Sequence, residues 1–250
     1  AYYLLSVVKK PVIACGDKVF RRFIDEHCSV SREHFWPTWW CIQSHVQTVL
    51  RVIIHSRISV KYTEEYLKTP DGGEIRLDWE ENDKSKYPSD SRPTVLFLPG
   101  LTGSSVENYI LHLVNNAADL GYRSVVFNNR GTGGTTLKTP RTYCAANIED
   151  IKFVIRHIKE KLPNAPVVGV GVSLGGMILF NYLAMERSKA ELVAAMIISP
   201  VYDVLSQGCL WINPLIIGCS IATLQALFVK LLRKICICFK SMWTLMPSMC

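Results

Sequence analysis

The sequence offers little that would hold a metal, a nucleotide or a nucleic acid. Its nine cysteines include no C-x-x-C pair, so neither a zinc ribbon nor a disulfide scaffold is indicated, and buried or free thiols are the default. His27, His34, His45 and His55 follow no metal-ligand spacing. There is no G-x-x-x-x-G-K-[ST], and Gly169-x-Gly171 fails as a dinucleotide fingerprint because its third glycine position falls on Leu174. Metal, bound nucleotide and nucleic acid are therefore all expected to be absent. No basic run is dense enough to bind nucleic acid, although 28 Lys+Arg stand against 21 Asp+Glu. That net charge of +7 favours an anionic surface such as a membrane. The opening apolar stretch, Ala1 to Val8 before Lys9-Lys10, is far short of the ~20 residues that cross a bilayer. It reads either as the last turns of a membrane anchor, with Tyr2, Tyr3 and the lysines at the interface, or as an N-terminal arm. One further absence matters most: the six histidines are residues 27, 34, 45, 55, 112 and 157.

What is present is a chain of 250 residues, 49% hydrophobic, enough for one α/β domain with a full core. It is organised around Val167-Val168-Gly169-Val170-Gly171-Val172-Ser173-Leu174-Gly175-Gly176. A β-branched run leads into Gly171-x-Ser173-x-Gly175, and a helical pattern from Met177 to Met185 follows at once. This is the strand–turn–helix context of a nucleophile elbow. Side chains two residues either side of the serine would clash in so tight a turn, which calls for Gly171 and Gly175. The hydroxyl of Ser173 is then lifted to a helix N-terminus, where the Leu174 N–H faces a developing oxyanion. An ordinary Gly-rich strand end is the plainer alternative.

Around that stretch, strands and helices alternate. Tyr62 to Lys68 and Glu74 to Glu80 read as strands joined by an Asp71-Gly72-Gly73 turn. Thr94 to Leu98 is a short continuous apolar run suited to a buried parallel strand. The loop it enters, Pro99-Gly100-Leu101-Thr102-Gly103-Ser104, is where this fold class places its second oxyanion donor; Leu101 is the first choice and Thr102 the second. Glu107 to Leu120 is a predicted helix carrying a structural His112, followed by a strand at Ser124 to Phe127. Asn147 is expected to cap a helix running to Leu162, with Glu149 and Asp150 in its first turn and Lys159 and Lys161 in its last. Leu192 to Ser199 reads as a further buried strand. The pattern predicts an α/β fold, a mostly parallel central sheet with helices on both faces. Residues 1–58 form an N-terminal segment, 59–200 the core and 201–250 an apolar tail.

Several spaced motifs together resemble one family. Thr69-Pro70-Asp71-Gly72-Gly73, Leu77-Asp78-Trp79, Leu98 to Ser104, Val126 to Gly131, Pro140-Arg141-Thr142-Tyr143-Cys144 and Gly171 to Gly176 occur in that order. From about Tyr2 to about Pro200 the chain is similar to the α/β-hydrolase-domain phospholipases of the AB hydrolase 4 family (members one and three, with bacterial YheT and plant EMB-type relatives). The resemblance implies a membrane-anchored, single-pass serine hydrolase of lipid acyl esters, phospholipid above all, using a Ser–Asp–His triad and no cofactor. It makes Ser173 the nucleophile and the apolar leader ending at Lys9-Lys10 the remnant of a signal anchor.

The departures are expected to matter equally. In this fold the acid and the histidine follow the serine in chain order, yet no histidine follows Ser173. The strands that carry them in the family have no counterpart here, and Asp203 reads as a loop aspartate. The resemblance implies a hydrolase, with this chain inactive for want of its base; the alternative is a non-catalytic isoform binding membrane or partners. From Val204 to Val229 no residue is charged, and Lys230, Arg233 and Lys234 follow, a transmembrane pattern with a basic flank. Lid helices over a lipid site, or a shifted reading frame between Ser199 and Lys240, are the rival readings. Cys236, Cys238, Met242, Trp243, Met246, Met249 and Cys250 crowd the end as untended coding does.

Overall fold

The computed structural model describes residues 2–42, 46–47 and 58–202. Asp203, the uncharged stretch 204–229, His45, His55 and the Cys- and Met-rich end therefore lie outside the described residues. The chain divides into two compact units, one spanning Arg57–Val204 and the other including Ala1–Ser56. In the N-terminal unit, residues Tyr3–Val7 make one π-helical turn with Tyr2, Leu4 and Leu5 exposed. Lys9 bridges Phe35, whose N–H donates to the Lys9 carbonyl at 2.8 Å. Helix α1 (Lys18–His27) starts at Asp17, whose carboxylate accepts from the N–H groups of Val19 and Phe20 at 2.7 and 3.0 Å and so satisfies two of the helix's orphan donors. Among the described residues no helix is long and apolar enough to cross a membrane.

The larger unit carries a six-stranded sheet. Strands β1 (Thr63–Lys68) and β2 (Glu74–Glu80) pair antiparallel with Lys68 opposite Glu74. Their turn is closed by hydrogen bonds between Thr69 and Gly73 and between Gly72 and Thr69, with Gly72 at φ +80°, a conformation glycine adopts without strain. Then follow β3 (Thr94–Leu98), helix α2 (Asn108–Asp119), β4 (Arg123–Asn128), helix α3 (Glu149–Lys161), β5 (Val167–Val172), helix α4 (Leu174–Glu186) and β6 (Ala194–Ile198). The sheet order is β1-β2-β4-β3-β5-β6; β4, β3, β5 and β6 run parallel, and β2 meets β4 antiparallel. The α/β reading and the mostly parallel sheet hold. β6 is the outermost strand on its side among the described residues.

Alternation along the strands builds two layers. Leu77 and Trp79 of β2, Leu96 and Leu98 of β3, Val125 and Phe127 of β4 and Val167 of β5 share one face. Against it lie Ile151, Val154, Ile155 and Ile158 of α3 and Ile178, Leu179 and Tyr182 of α4 in one continuous core. Val95, Phe97 and Val126 point the other way and are also buried, on the side where α2 packs on β4 through its own apolar stripe Ile110, Leu113, Val114 and Ala117.

Most boundaries fall within a residue of the sequence reading, and those around α3, β6 and α4 differ for physical reasons. The residue preceding α3 is Ile148, not Asn147; the Asn147 side chain accepts from the Glu149 N–H at 2.9 Å, so it forms a turn one residue earlier. β6 is shorter at both ends than Leu192 to Ser199, because Ser199 turns to φ 51° and leaves the extended region. α4 begins at Leu174, three residues before Met177, because the turn into it is a single residue.

A buried charge network fastens the hairpin to the helical layer. Arg130, 2% exposed, donates in pairs to Asp150 (2.7 Å twice) and to Asp71 (2.7 and 2.9 Å). A side chain at Gly73 would strike the Arg130 guanidinium, so the turn glycine and the arginine fit as a pair. Hydrogen bonds from Arg130 and Thr69 hold the Asp71 carboxyl well below the usual carboxylate range. Replacing Arg130 by methionine should lower stability by about 3 kcal/mol, because two carboxylates lose their buried partner. Thermal and urea unfolding of the two proteins check this. Since the Asp71 pKa is lowered by folding, its contribution is full above its ordinary value of 3.8 and is lost as pH falls below it. The variant should accordingly show a shallower loss of stability in that acid range.

Candidate active site

The backbone between β5 and α4 turns on one residue. Ser173 has φ 52° and ψ −115°, a left-sided conformation that a non-glycine residue holds only when its surroundings enforce it. Two hydrogen bonds and two close backbone approaches do so. The Ser173 N–H donates to the Ile198 carbonyl of β6 at 2.9 Å, and its carbonyl accepts from Met177 at 3.0 Å. A Cβ at Gly171 would lie 2.5 Å from the Gly175 carbonyl oxygen, and one at Gly175 would lie 2.5 Å from the Pro99 carbonyl oxygen and closer still to that of Leu98. These are backbone atoms that cannot step aside. Glycine at 171 and 175 is a steric necessity, and it lets the first turn of α4 lie directly on the end of β3.

Although Ser173 precedes the helix, its side chain does not cap it, and its hydroxyl has no hydrogen-bond partner among the described residues. It is half-buried at the carboxyl edge of the parallel strands. Leu174, the first residue of α4, has an N–H with no acceptor among the described residues, as expected of a helix N-terminus. The loop after β3 comes up against the same point: a Cβ on Gly100 would sit 3.4 Å from the Ser173 Cβ. Of the four consecutive amides in that loop, Gly100 donates to the Tyr109 hydroxyl at 2.9 Å, Thr102 to the Tyr143 hydroxyl at 3.2 Å and Gly103 to the Gly100 carbonyl at 3.0 Å. Only the Leu101 N–H has no acceptor among the described residues. Between Leu101 and Thr102, the amide left for a ligand is that of Leu101.

Among the described residues no hydrogen bond joins the Ser173 hydroxyl to a base or an acid. His157 on α3 lies 3.1 Å from Glu65 of β1 in a cluster with Lys161. Burial pushes the Glu65 carboxyl up, but Lys161, Trp79 and His157 outweigh it and hold the group below its ordinary value. This is a His–carboxylate pair in the wrong place: β1 and β5 stand four inter-strand spacings apart, about 19 Å. His112 lies half-buried on α2. His27 and His34 belong to the N-terminal unit. Among the described residues no group of three or more His, Cys, Asp or Glu side chains has the arrangement to hold a metal ion.

Sequence reasoning missed the tyrosines and the polar support beneath the loop. Asp78, fully buried on β2, is held by Arg76 at 2.7 and 2.9 Å and by Asn128 Nδ2 at 2.8 Å; the Asn128 Oδ1 in turn accepts from the Ser105 N–H at 3.0 Å. The only sequence signal for Asp78 was a carboxylate in a strand otherwise buried, Leu77-Asp78-Trp79. For Tyr109 it was the Gly100-x-x-Gly103 pair that leaves room for its hydroxyl.

Residues 93–203 match the family model of the alpha/beta hydrolase fold. The chain is 52% identical over 196 residues to phospholipase ABHD3 of Mus musculus, covering 78% of this chain and 48% of that protein, and equally so to the Homo sapiens protein. It is 30% identical over 169 residues to the putative esterase YheT of Escherichia coli, covering 68% of this chain and 49% of that one. The chain thus spans about half the length of the curated relatives it matches. Among solved structures, the esterase Pf2001 of Pyrococcus furiosus superposes with a TM-score of 0.51 at 19% identity, over 64% of this chain and 62% of that one, a likeness of fold alone.

The elbow's sterics yield a direct test. Gly175→Ala should destabilise the larger unit by about 3 kcal/mol or more, since the added methyl meets main-chain oxygens that cannot repack. Gly16→Ala, where nothing lies within 4 Å, should be neutral. Chemical denaturation of both variants decides it, and equal midpoints would remove the steric argument.

Proposed function

We propose that this chain, which has the α/β-hydrolase fold, serves the hydrolysis of lipid acyl esters, with Ser173 as nucleophile. The observation that carries the reading is a strained serine whose hydroxyl is unbonded, flanked by two amides, Leu174 and Leu101, that have no acceptor among the described residues. In the step this arrangement serves, the Ser173 oxygen adds to the acyl carbonyl. The serine proton passes to a general base or to water, and the carbonyl oxygen becomes an anion held by those two N–H groups. Collapse, with a proton returned to the leaving oxygen, releases the alcohol and leaves an acyl-serine for water to cleave. Gly171 and Gly175 contribute only the room the turn needs. The names of the relatives, phospholipase and putative esterase, support an ester of a lipid over a peptide.

Association with a membrane is part of the same proposal. Tyr2, Leu4 and Leu5 stand exposed in the sequence run that ends in Lys9-Lys10, a composition suited to an interface.

A second reading is favoured by one observation: no histidine follows Ser173, and His157 is engaged with Glu65. On that reading these 250 residues bind lipid or a partner without turning ester over, since an unassisted hydroxyl is a poor nucleophile and loss of a triad member costs ~10⁴ in kcat.

Two measurements separate the readings. A fluorophosphonate probe should label the protein only through Ser173, so labelling that persists in Ser173→Ala overturns the nucleophile. Turnover of a short-chain ester that Ser173→Ala abolishes is what the first reading expects of the 250-residue chain, and turnover no greater than that of Ser173→Ala is what the second expects. Robust turnover would show that a histidine upstream, or one from another chain, completes the site.

A further inference from the structure

We propose that Tyr109 and Tyr143 are positioning residues that fix the Leu101 amide as the second donor to the oxyanion. The inference rests on the reading of Ser173 as nucleophile and concerns how the donor opposite Leu174 is held.

An oxyanion donor supplied by a loop is only as good as the orientation of one peptide plane. In a trans peptide the C=O and N–H point in opposite directions, so fixing either end fixes the other. The Gly100–Leu101 peptide has its carbonyl held inside the turn by the Gly103 N–H at 3.0 Å, which leaves the Leu101 N–H pointing out of it. The plane before it is set by the Gly100 N–H, which the Tyr109 hydroxyl accepts at 2.9 Å. The plane after it is held at both ends. The Thr102 N–H goes to the Tyr143 hydroxyl at 3.2 Å, and the Leu101 carbonyl accepts from the Thr102 hydroxyl at 2.7 Å.

This arrangement is not the loop's resting preference. Thr102 sits at φ 58°, a left-handed conformation that a β-branched residue avoids, and the surroundings must impose it. Tyr143 reaches Thr102 across 41 residues of sequence to do so. If the loop relaxed, the Gly100–Leu101 plane would be free to rotate, and a carbonyl oxygen in place of the N–H would repel the anion instead of binding it. Gly103 belongs to the same device: a Cβ there would lie 2.8 Å from the Tyr109 hydroxyl, so the glycine makes space for the tyrosine that holds Gly100. Gly100 in turn stands against Ser173, with its own added Cβ 3.4 Å from that of the serine. Two phenol hydroxyls, one on α2 and one in the loop before α3, thus fix the amides on both sides of Leu101 and leave that one N–H to the site.

The test uses phenylboronic acid, which gives a tetrahedral anion on a serine without an acyl leaving group. The serine oxygen bonds to boron, its proton goes to buffer, and the boronate takes the place of the oxyanion. In the ¹⁵N-labelled 250-residue chain, adduct formation should move both the Leu101 and Leu174 amide resonances downfield, and neither should move in Ser173→Ala. Tyr143→Phe removes only the hydroxyl. It should weaken boronate binding about tenfold and abolish the Leu101 shift while the Leu174 shift remains. Tyr109→Phe should do the same, and it stands as the second variant if the first loses its dispersed amide spectrum. A Leu101 shift and an affinity unchanged in both variants overturn the inference and leave the nucleophile assignment intact. Absence of an adduct in the unmodified chain, or an adduct that survives Ser173→Ala, overturns the assignment and the inference with it.

Discussion

The structure depends on a close approach of main chain to main chain. The first turn of α4 is laid on the carboxyl end of β3, with Gly175 so near the Leu98 and Pro99 carbonyls that no side chain fits between. That approach carries the serine at the junction out of the sheet plane, and the Ile198 carbonyl on the other side pins its N–H. β3, β5, β6 and α4 are thereby locked around one strained residue. The strain is sustained because apolar burial between the sheet and α4 holds these elements in place, with Leu96, Leu98, Leu179 and Ile178 all essentially removed from water. A turn of this geometry has no stability as an isolated peptide. It persists because the layers that meet at it leave it no alternative.

The polar interior does complementary work. Apolar packing sets distances between layers but is indifferent to the rotation of a loop, whereas hydrogen bonds are directional. The loop after β3 is held by such bonds: Asn128 on Ser105, Tyr109 on Gly100 and Tyr143 on Thr102. Asn128 is itself braced by Asp78, whose buried carboxylate is neutralised by Arg76. Each link satisfies a group that would be costly to leave unpaired in the interior. Arg130 plays the same part farther along the edge, joining the hairpin turn at Asp71 to the start of α3 at Asp150. A charged frame therefore runs beneath the loops at the edge where Ser173 stands.

These bonds also explain why the chemistry of the site cannot be assigned from residue type alone. His157 and Glu65 form the kind of pair expected of a base and its acid, yet they stand on α3 and β1, far across the sheet from the serine. Position in the fold, not composition, separates a hydrolase-like constellation from a surface ion pair.

The sequence by itself determined whatever local sterics and periodicity govern. The continuous apolar run of β3, the Asp71-Gly72-Gly73 hairpin and the strand–turn–helix at Ser173 were legible because each is dictated by neighbours a few residues apart. Boundaries set by competition were less so: Asn147 reads as a cap but its side chain serves the turn before α3, and Ser199 reads as strand but is twisted out of it. Only the tertiary structure decided between the Leu101 and Thr102 amides, because the hydroxyl that closes Thr102 is remote, Tyr143 being 41 positions away in sequence. A hydrogen bond between groups so far apart leaves no period or motif in the sequence. It exists only once the folded layers have brought the two groups within about 3 Å of each other.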